Sequence, residues 1–234
     1  MTKGVFLVKK SNNKKNAGEL YAVVGLGRFG MALARELASK GKSLIVIDYD
    51  REKINAALEF TDNAFIVSSL TAESLSETGM AEADVAIVCI GEKLDVSILA
   101  TMNIIKLGVK RVIAKAMSEE QGDILKLLGA EVVYPEHDMA IRLASKLVSP
   151  HILEYISLSD SIDIMEIRMT DVIDGVTIID SGIRARFGLN IIALRHGDEM
   201  TTDIRPTTKL IAGDTITVIG KKDSIAKLEE YLGN

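Results

Sequence analysis

Three glycines spaced G-x-G-x-x-G, with an arginine among them and a carboxylate some 18 residues further on, are the residues of this chain best suited to chemistry. The stretch is Gly25-Leu26-Gly27-Arg28-Phe29-Gly30, and the acid is Asp48. The chemistry is recognition of a nucleotide. Gly25 would make a tight turn out of a strand, Gly27 would let a pyrophosphate approach the backbone, and Gly30 would let helix and sheet pack closely. Phosphates would rest on the free N–H groups and positive dipole end of the helix that follows. Arg28 would project toward them as a planar, bidentate clamp. The bland alternative is a solvated arginine, although a helix start is a poor place for a cation. Asp48, followed by Tyr49 and Asp50, would accept both ribose hydroxyls and repel a 2′-phosphate, which disfavours NADP. Asp50 could equally be the N-cap of a helix from Arg51. Ser68, Ser69, Ile90, Gly91 and Lys115 fall at the carboxyl ends of further strands, where open α/β sheets bind ligands.

Those residues need a parallel sheet to hold them, and the pattern supplies one. Strands are expected at Tyr21–Val24, Leu44–Asp48, Ala64–Ser68, Val85–Ile90, Arg111–Lys115 and Glu131–Val133. Helices fall between them near Phe29–Lys40, Arg51–Glu59, Ala72–Thr78, Val96–Leu107 and Glu119–Leu128. Gly41, Gly108 and Gly129 follow helical runs, where a left-handed cap is wanted. The alternation predicts a Rossmann domain, a doubly wound α/β sheet in the order 3-2-1-4-5-6 over residues 20–138. Ahead of it, residues 1–19 carry Lys3, Lys9, Lys10, Lys14 and Lys15 and read as a mobile basic arm, or as a remnant of cloning. Within the arm Val5-Phe6-Leu7-Val8 is apolar enough to pair onto a sheet edge.

After Pro135 the pattern changes. Met139–Val148 runs on past Pro150 into Ile152, Leu153, Tyr155 and Ile156, too apolar for a pair of helices facing water. Residues 139–159 are therefore expected to form interface helices and a linker. From about Asp160 to residue 234 a small α+β domain follows. Its expected strands are Ile164–Met169, Asn190–Arg195, Thr201–Ile204 and Thr215–Ile219, with a helical turn at Ser181–Phe187 and a last helix, Ser224–Leu232, capped by Asp223.

The composition narrows the function. A formal net charge of −5 argues against nucleic acid as a partner, which calls for a basic field. No apolar run approaches the ~18 residues of a membrane span. No h-region of a secretory signal follows the Lys-rich start. The single Cys89 lies in an apolar run and reads as a buried, inert thiol. The expectation is a cytoplasmic protein. His137, His151 and His196 are scattered, and no Cys/His metal spacing is present. A dehydrogenase needs a proton donor and a second wall around the nicotinamide, and only some seventy residues of small α+β domain are left to provide them. The chain reads as one that binds and reports, not as an enzyme.

Several stretches carry a resemblance. They are Val23–Gly30, Val46-Ile47-Asp48, Leu128-Gly129-Ala130, Tyr134–Met139 and Tyr155–Asp160, then Ile183–Gly188 and Gly213–Gly220. With these the chain resembles the RCK (regulator of K⁺ conductance) family, in particular the KtrA/TrkA-type cytosolic gating subunits of bacterial potassium transporters. The resemblance runs from about Leu20 to the C-terminus. It implies an ATP/ADP-binding ring, from dimer up to octamer, on the cytosolic face of a membrane K⁺-translocating subunit of the KtrB/TrkH type. It further implies that Arg28 senses the terminal phosphate and that Glu136 belongs to an intersubunit divalent-cation (Mg or Ca) site. The C-terminal domain resembles a module that binds cyclic di-AMP at a dimer interface. Arg184, Asn190 and Pro206 match residue by residue, Ile178 and Ile179 form an apolar wall, and Ala185 and Ile191 lie beside them. In one place the chain departs from the family: Ser68-Ser69-Leu70-Thr71 stands where Gly-Asp-Ala-Thr is frequent, which removes an acid from the base side. Two other functions compete, an NAD(H)-dependent oxidoreductase and a nucleotide-sensing repressor. The first needs a substrate chemistry absent from the pattern, and the second a basic recognition helix that an acidic chain lacks.

Overall fold

A computed structural model describes residues 5–9, 18–91, 93–148, 152–159 and 161–233. The chain divides into two compact units, Met1–Glu136 and His137–Asn234. The first begins with β1 (Val5–Lys9) and β2 (Leu20–Val24). It continues through α1 (Arg28–Ser39), β3 (Ser43–Asp48), α2 (Arg51–Ala57), β4 (Ala64–Val67) and α3 (Ala72–Glu77). Then come β5 (Val85–Val88), α4 (Leu94–Lys106), β6 (Arg111–Lys115), α5 (Glu119–Leu127) and β7 (Glu131–Val133).

The sheet runs β1-β4-β3-β2-β5-β6-β7. Its last six strands are parallel and reproduce the expected Rossmann order. Both faces are covered, so β5 is buried at all four positions and the strands read as continuous apolar runs. Alternate residues serve opposite faces. Ala22, Val24, Ile45 and Ile47 enter one core, while Val23, Leu44 and Val46 enter the other. Gly41, Gly108 and Gly129 take the expected left-handed backbone. Two strands stop short of expectation: β4 ends at Val67 and β5 at Val88, so Ser68 and Ile90 lie in the loops beyond. The apolar piece of the N-terminal arm does pair onto an edge. β1 lies antiparallel to β4 with Val5 opposite Val67. The rest of the arm before Gly18 is outside the described residues.

In the second unit, α6 (Pro135–Val148) carries the chain on from the first, and β8 (Ile152–Ser157) and β9 (Ile162–Arg168) follow. After them come α7 (Ile178–Ser181), α8 (Ile183–Phe187), β10 (Asn190–His196), β11 (Glu199–Thr201), β12 (Thr215–Lys221) and α9 (Lys222–Gly233). The strands form one antiparallel sheet, β11-β10-β12-β9-β8. One face packs on Ile167, Leu189, Leu210, Ile216, Ile225 and Leu228.

Three expectations change here. Residues 152–157 are a strand and not a second interface helix. β8 pairs with β9 from Ser157↔Asp163 to Ile152↔Ile167, with a register shift between Ile152 and Glu154. The strand expected at Thr201–Ile204 lies earlier, at Glu199–Thr201. A two-residue turn at Gly197-Asp198 sets His196 opposite Glu199 and so fixes the register. Asp223 sits in the first turn of α9 and not at its cap, because the helix already starts at Lys222. Pro150, His151 and the expected boundary residue Asp160 lie outside the described residues.

Candidate nucleotide site

The glycine loop has the geometry that its spacing implies. Gly25 turns at φ +92°, and its N–H donates to the Ile47 carbonyl at 2.8 Å. A Cβ on Gly30 would stand 2.0 Å from the Gly25 carbonyl oxygen, so only glycine lets α1 lie this close to the strand. A Cβ on Gly27 would meet nothing within 4 Å, which leaves the loop open on the side a phosphate would approach. Gly27 is also the N-cap of α1 and supplies no side-chain cap, and the first turn holds no acid. In contrast α2, α3 and α5 are each capped by a side chain and carry an acid in the first turn. The leading N–H groups and dipole of α1 are therefore free to meet an anion.

Asp48 braces this loop from the neighbouring strand. It is buried, and its Oδ2 accepts the Leu26 N–H at 2.5 Å while Oδ1 accepts the Asp50 N–H at 2.9 Å. Lys53 Nζ stands 3.9 Å from Oδ2. A carboxylate has about four lone-pair sites, so these two N–H donors do not exhaust it. Asp50 is the N-cap of α2, accepting the Glu52 N–H at 2.9 Å, which is the alternative role read from the sequence. Tyr49 is 68% exposed, with Lys53 and Lys93 ammonium groups 5.5 and 5.7 Å from its ring centroid.

A cavity of about 560 Å³ opens at the carboxyl ends of the strands and brings together Gly25, Asp48, Tyr49, Ser68, Ser69 and Ile90. Sequence reasoning missed its other wall, Leu70, Thr71 and the α4 residues Val96, Leu99, Met102 and Asn103. Asn103 donates to the Leu70 carbonyl at 2.9 Å and so holds the loop after β4 against α4. Leu99 is left 53% exposed on a helix whose buried residues are Ser97, Ala100, Thr101 and Ile104, and no sequence signal marked it.

Leu26, Gly27, Arg28, Phe29, Gly91 and Lys115 do not line that cavity. Some of them meet in a second group. Lys115, 8% exposed, forms an ion pair with Glu136 and lies 6.0 Å from the Phe29 ring centroid. A Cβ on Gly91 would stand 3.4 Å from its Nζ. The hydrogen bond from Lys115 holds the Glu136 carboxyl below its ordinary value, and the charge of Arg28 adds to this. Among the described residues no three His, Cys, Asp or Glu side chains converge.

The second unit has its own cavity, of about 630 Å³. Ile178, Ile179, Arg184, Ala185, Asn190, Ile191 and Pro206 all line it, and Gly182, Ile183, Leu189 and Ile204 complete the wall. It is an apolar dish with exposed Arg184 and Asn190 at its rim. The segment before Arg184 is tied to the facing loop by Ile178 N–H to Thr208 O at 2.9 Å and Ile179 N–H to Pro206 O at 3.0 Å. Of the histidines, His196 meets buried Asp214 at 2.7 Å and His137 meets Asp138 at 3.4 Å.

Comparison with known proteins places these features in a family. The TrkA-N domain matches residues 21–135 and the TrkA-C domain residues 164–233. Over 211 residues the chain is 34% identical to Ktr system potassium uptake protein C of Bacillus subtilis (strain 168), covering 90% of this chain and 96% of that one. The chain belongs to the KtrA/TrkA-type RCK family. A second relative, Ktr system potassium uptake protein A of Vibrio alginolyticus, is 30% identical over 213 residues, 91% of this chain and 97% of that one. Both relatives are named as potassium-uptake proteins and not as enzymes. The crystal structure of the GsuK RCK domain superimposes with a TM-score of 0.62 at 22% identity, covering 97% of this chain and 50% of that one. The GsuK channel bound to NAD gives the same TM-score and identity over 41% of its chain. The chain thus spans half or less of those two solved chains, and at this identity they establish the fold. The first cavity lies within the TrkA-N match and the second within the TrkA-C match. β1 precedes both.

Proposed function

We propose that the chain is the nucleotide-sensing regulatory subunit of a bacterial K⁺ uptake system. The observation that carries this reading is the open Gly27 loop and uncapped α1 start, beside a cavity that presents Asp48 for a ribose. The ligand class is an adenosine di- or triphosphate, with NAD(H) as the other nucleotide of fitting charge. Asp48 would hold the ribose, the α1 N–H groups the phosphates, and Arg28 the terminal phosphate. Titration calorimetry with ATP, ADP, NADH and NADPH tests this. ATP and ADP should bind and NADPH should not; equal affinity for NADH and NADPH would remove Asp48 from its role.

In the same reading residues 20–138 form the nucleotide domain and 160–234 the second sensing domain, and copies of the chain associate, from a dimer up to an octameric ring. Met139, Ile141, Leu143 and Leu147 of α6 are between 48% and 75% exposed, which supports a partner copy there. The ring would sit in the cytoplasm against a KtrB/TrkH-like membrane subunit and gate it through different nucleotide affinities of two ring shapes. A divalent cation at Glu136 would need carboxylates from another copy. The second cavity supports cyclic di-AMP as a further ligand: an apolar floor for adenine, and one Arg184 per chain for each phosphate of a two-fold ligand on a two-fold interface. Cyclic di-AMP binding that survives Arg184→Ala would count against it.

A further inference from the structure

A lysine taken out of water needs an anion beside it. The Lys115 side chain is 10% exposed, and its anionic partner among the described residues is Glu136. The pair sits against the start of α1, since the same ammonium faces the Phe29 ring at 6.0 Å and Gly91 across the loop. The ammonium thus stands by the second residue of α1, a helix whose N-terminus has no capping side chain. Glu136 is itself the second residue of α6, the helix that carries the chain out of this unit.

We propose that Lys115 is shared between Glu136 and the nucleotide's phosphates, so that phosphate charge arriving at α1 competes with Glu136 for one buried ammonium. The inference rests on the nucleotide reading above. It assigns Lys115, and not only Arg28, to the counting of phosphate charge. It also gives the site a connection to α6, since a phosphate that takes the ammonium releases the carboxylate at the start of that helix. A group already neutralised by Glu136 discriminates against weakly charged ligands. Adenosine brings no charge to displace a carboxylate, while each added phosphate raises the charge that competes with it.

The test is titration calorimetry of the full-length chain with adenosine, AMP, ADP and ATP in the presence of a chelator. Wild type is compared with E136Q, K115Q, K115R and the K115Q/E136Q double variant. E136Q should raise ADP and ATP affinity roughly tenfold, the scale of one charge-assisted hydrogen bond, and leave adenosine unchanged. K115Q should weaken ADP and ATP and cancel the gain in the double variant, while K115R retains most of the affinity. If K115Q does not fold, the E136Q series by itself decides. ADP and ATP affinities unmoved by E136Q, an equal shift for adenosine, or a gain that persists without Lys115 would each overturn the sharing. A wild-type chain that binds none of the four would overturn the nucleotide reading itself, and this inference with it.

Discussion

Gly27 and Gly30 share a motif but stand in opposite surroundings, and their alanine variants should separate binding from folding. Gly30→Ala drives a methyl against the Gly25 carbonyl, an overpacking against backbone that should cost about 3 kcal/mol, the upper end for such substitutions. Gly27→Ala meets open space, so its melting temperature should stay near wild type while nucleotide affinity falls. A Gly30→Ala protein that melts like wild type would contradict the close packing. Arg28 lies outside the cavity wall and should matter to one phosphate only. Arg28→Ala is expected to narrow the ATP-to-ADP affinity ratio more than it lowers ADP affinity; equal losses would make it a general clamp. Burial pushes the Cys89 thiol up to about 12, against a smaller opposing pull from Lys115. At pH 8 a thiol reagent should therefore leave the folded protein unlabelled and label it on unfolding. Rapid labelling of the native chain would refute that burial.

At the scale of elements, Asp84 joins β2 to the start of β5. Its Oδ2 accepts the Leu20 N–H at 3.1 Å and its Oδ1 pairs with Lys110 at 2.9 Å. That backbone donor first, and Lys110 next, hold its carboxyl below the ordinary value, and Arg111 does the same for Glu131 across β6 and β7. A depressed carboxylate contributes stability above its unfolded pKa, and the contribution is lost as pH falls through the folded one. Melting temperature should thus drop as pH is lowered below about 4, and Asp84→Asn with Glu131→Gln should flatten that dependence. An unchanged slope would show that neither pair matters. β1 makes a different prediction. Six parallel strands already complete the sheet that frames the first cavity, so deleting residues 1–17 should leave ADP affinity intact while baring the β4 edge to aggregation. β8 is also an edge strand, and a second-unit fragment begun at residue 160 would lose it and bare β9.

For the whole molecule the property to test is association. α6 keeps four large apolar side chains in water in a single chain, and no helix among the described residues is long and apolar enough to cross a membrane. A protein–protein contact is the economical cover. Sedimentation at micromolar concentration should give a mass above one chain, and Leu143→Asp with Leu147→Asp should shift it toward the monomer. A monomeric wild type would end the ring reading. The two units have separate cores, so ligand at either cavity should protect its own unit from hydrogen exchange before the other.

What the sequence determined alone was whatever depends on local chemistry and period. The parallel sheet follows from strands alternating with helices, and the turn at Gly25 and close packing at Gly30 from what a missing Cβ permits. The seven residues from Ile178 to Pro206 could be named by resemblance, and they do surround one cavity. Tertiary structure decided the rest. The strand at residues 152–157 has no apolar/polar alternation to set it apart from the apolar run before it, and only pairing with β9 settled it. The α4 wall was illegible because an exposed Leu99 has meaning only once the loop after β4 stands opposite. The Lys115–Glu136 pair joins residues at the ends of a strand and at the start of a helix. No spacing encodes that contact; it exists because the sheet brings the end of β6 beside the start of α6 and leaves the ammonium too little water to stand alone.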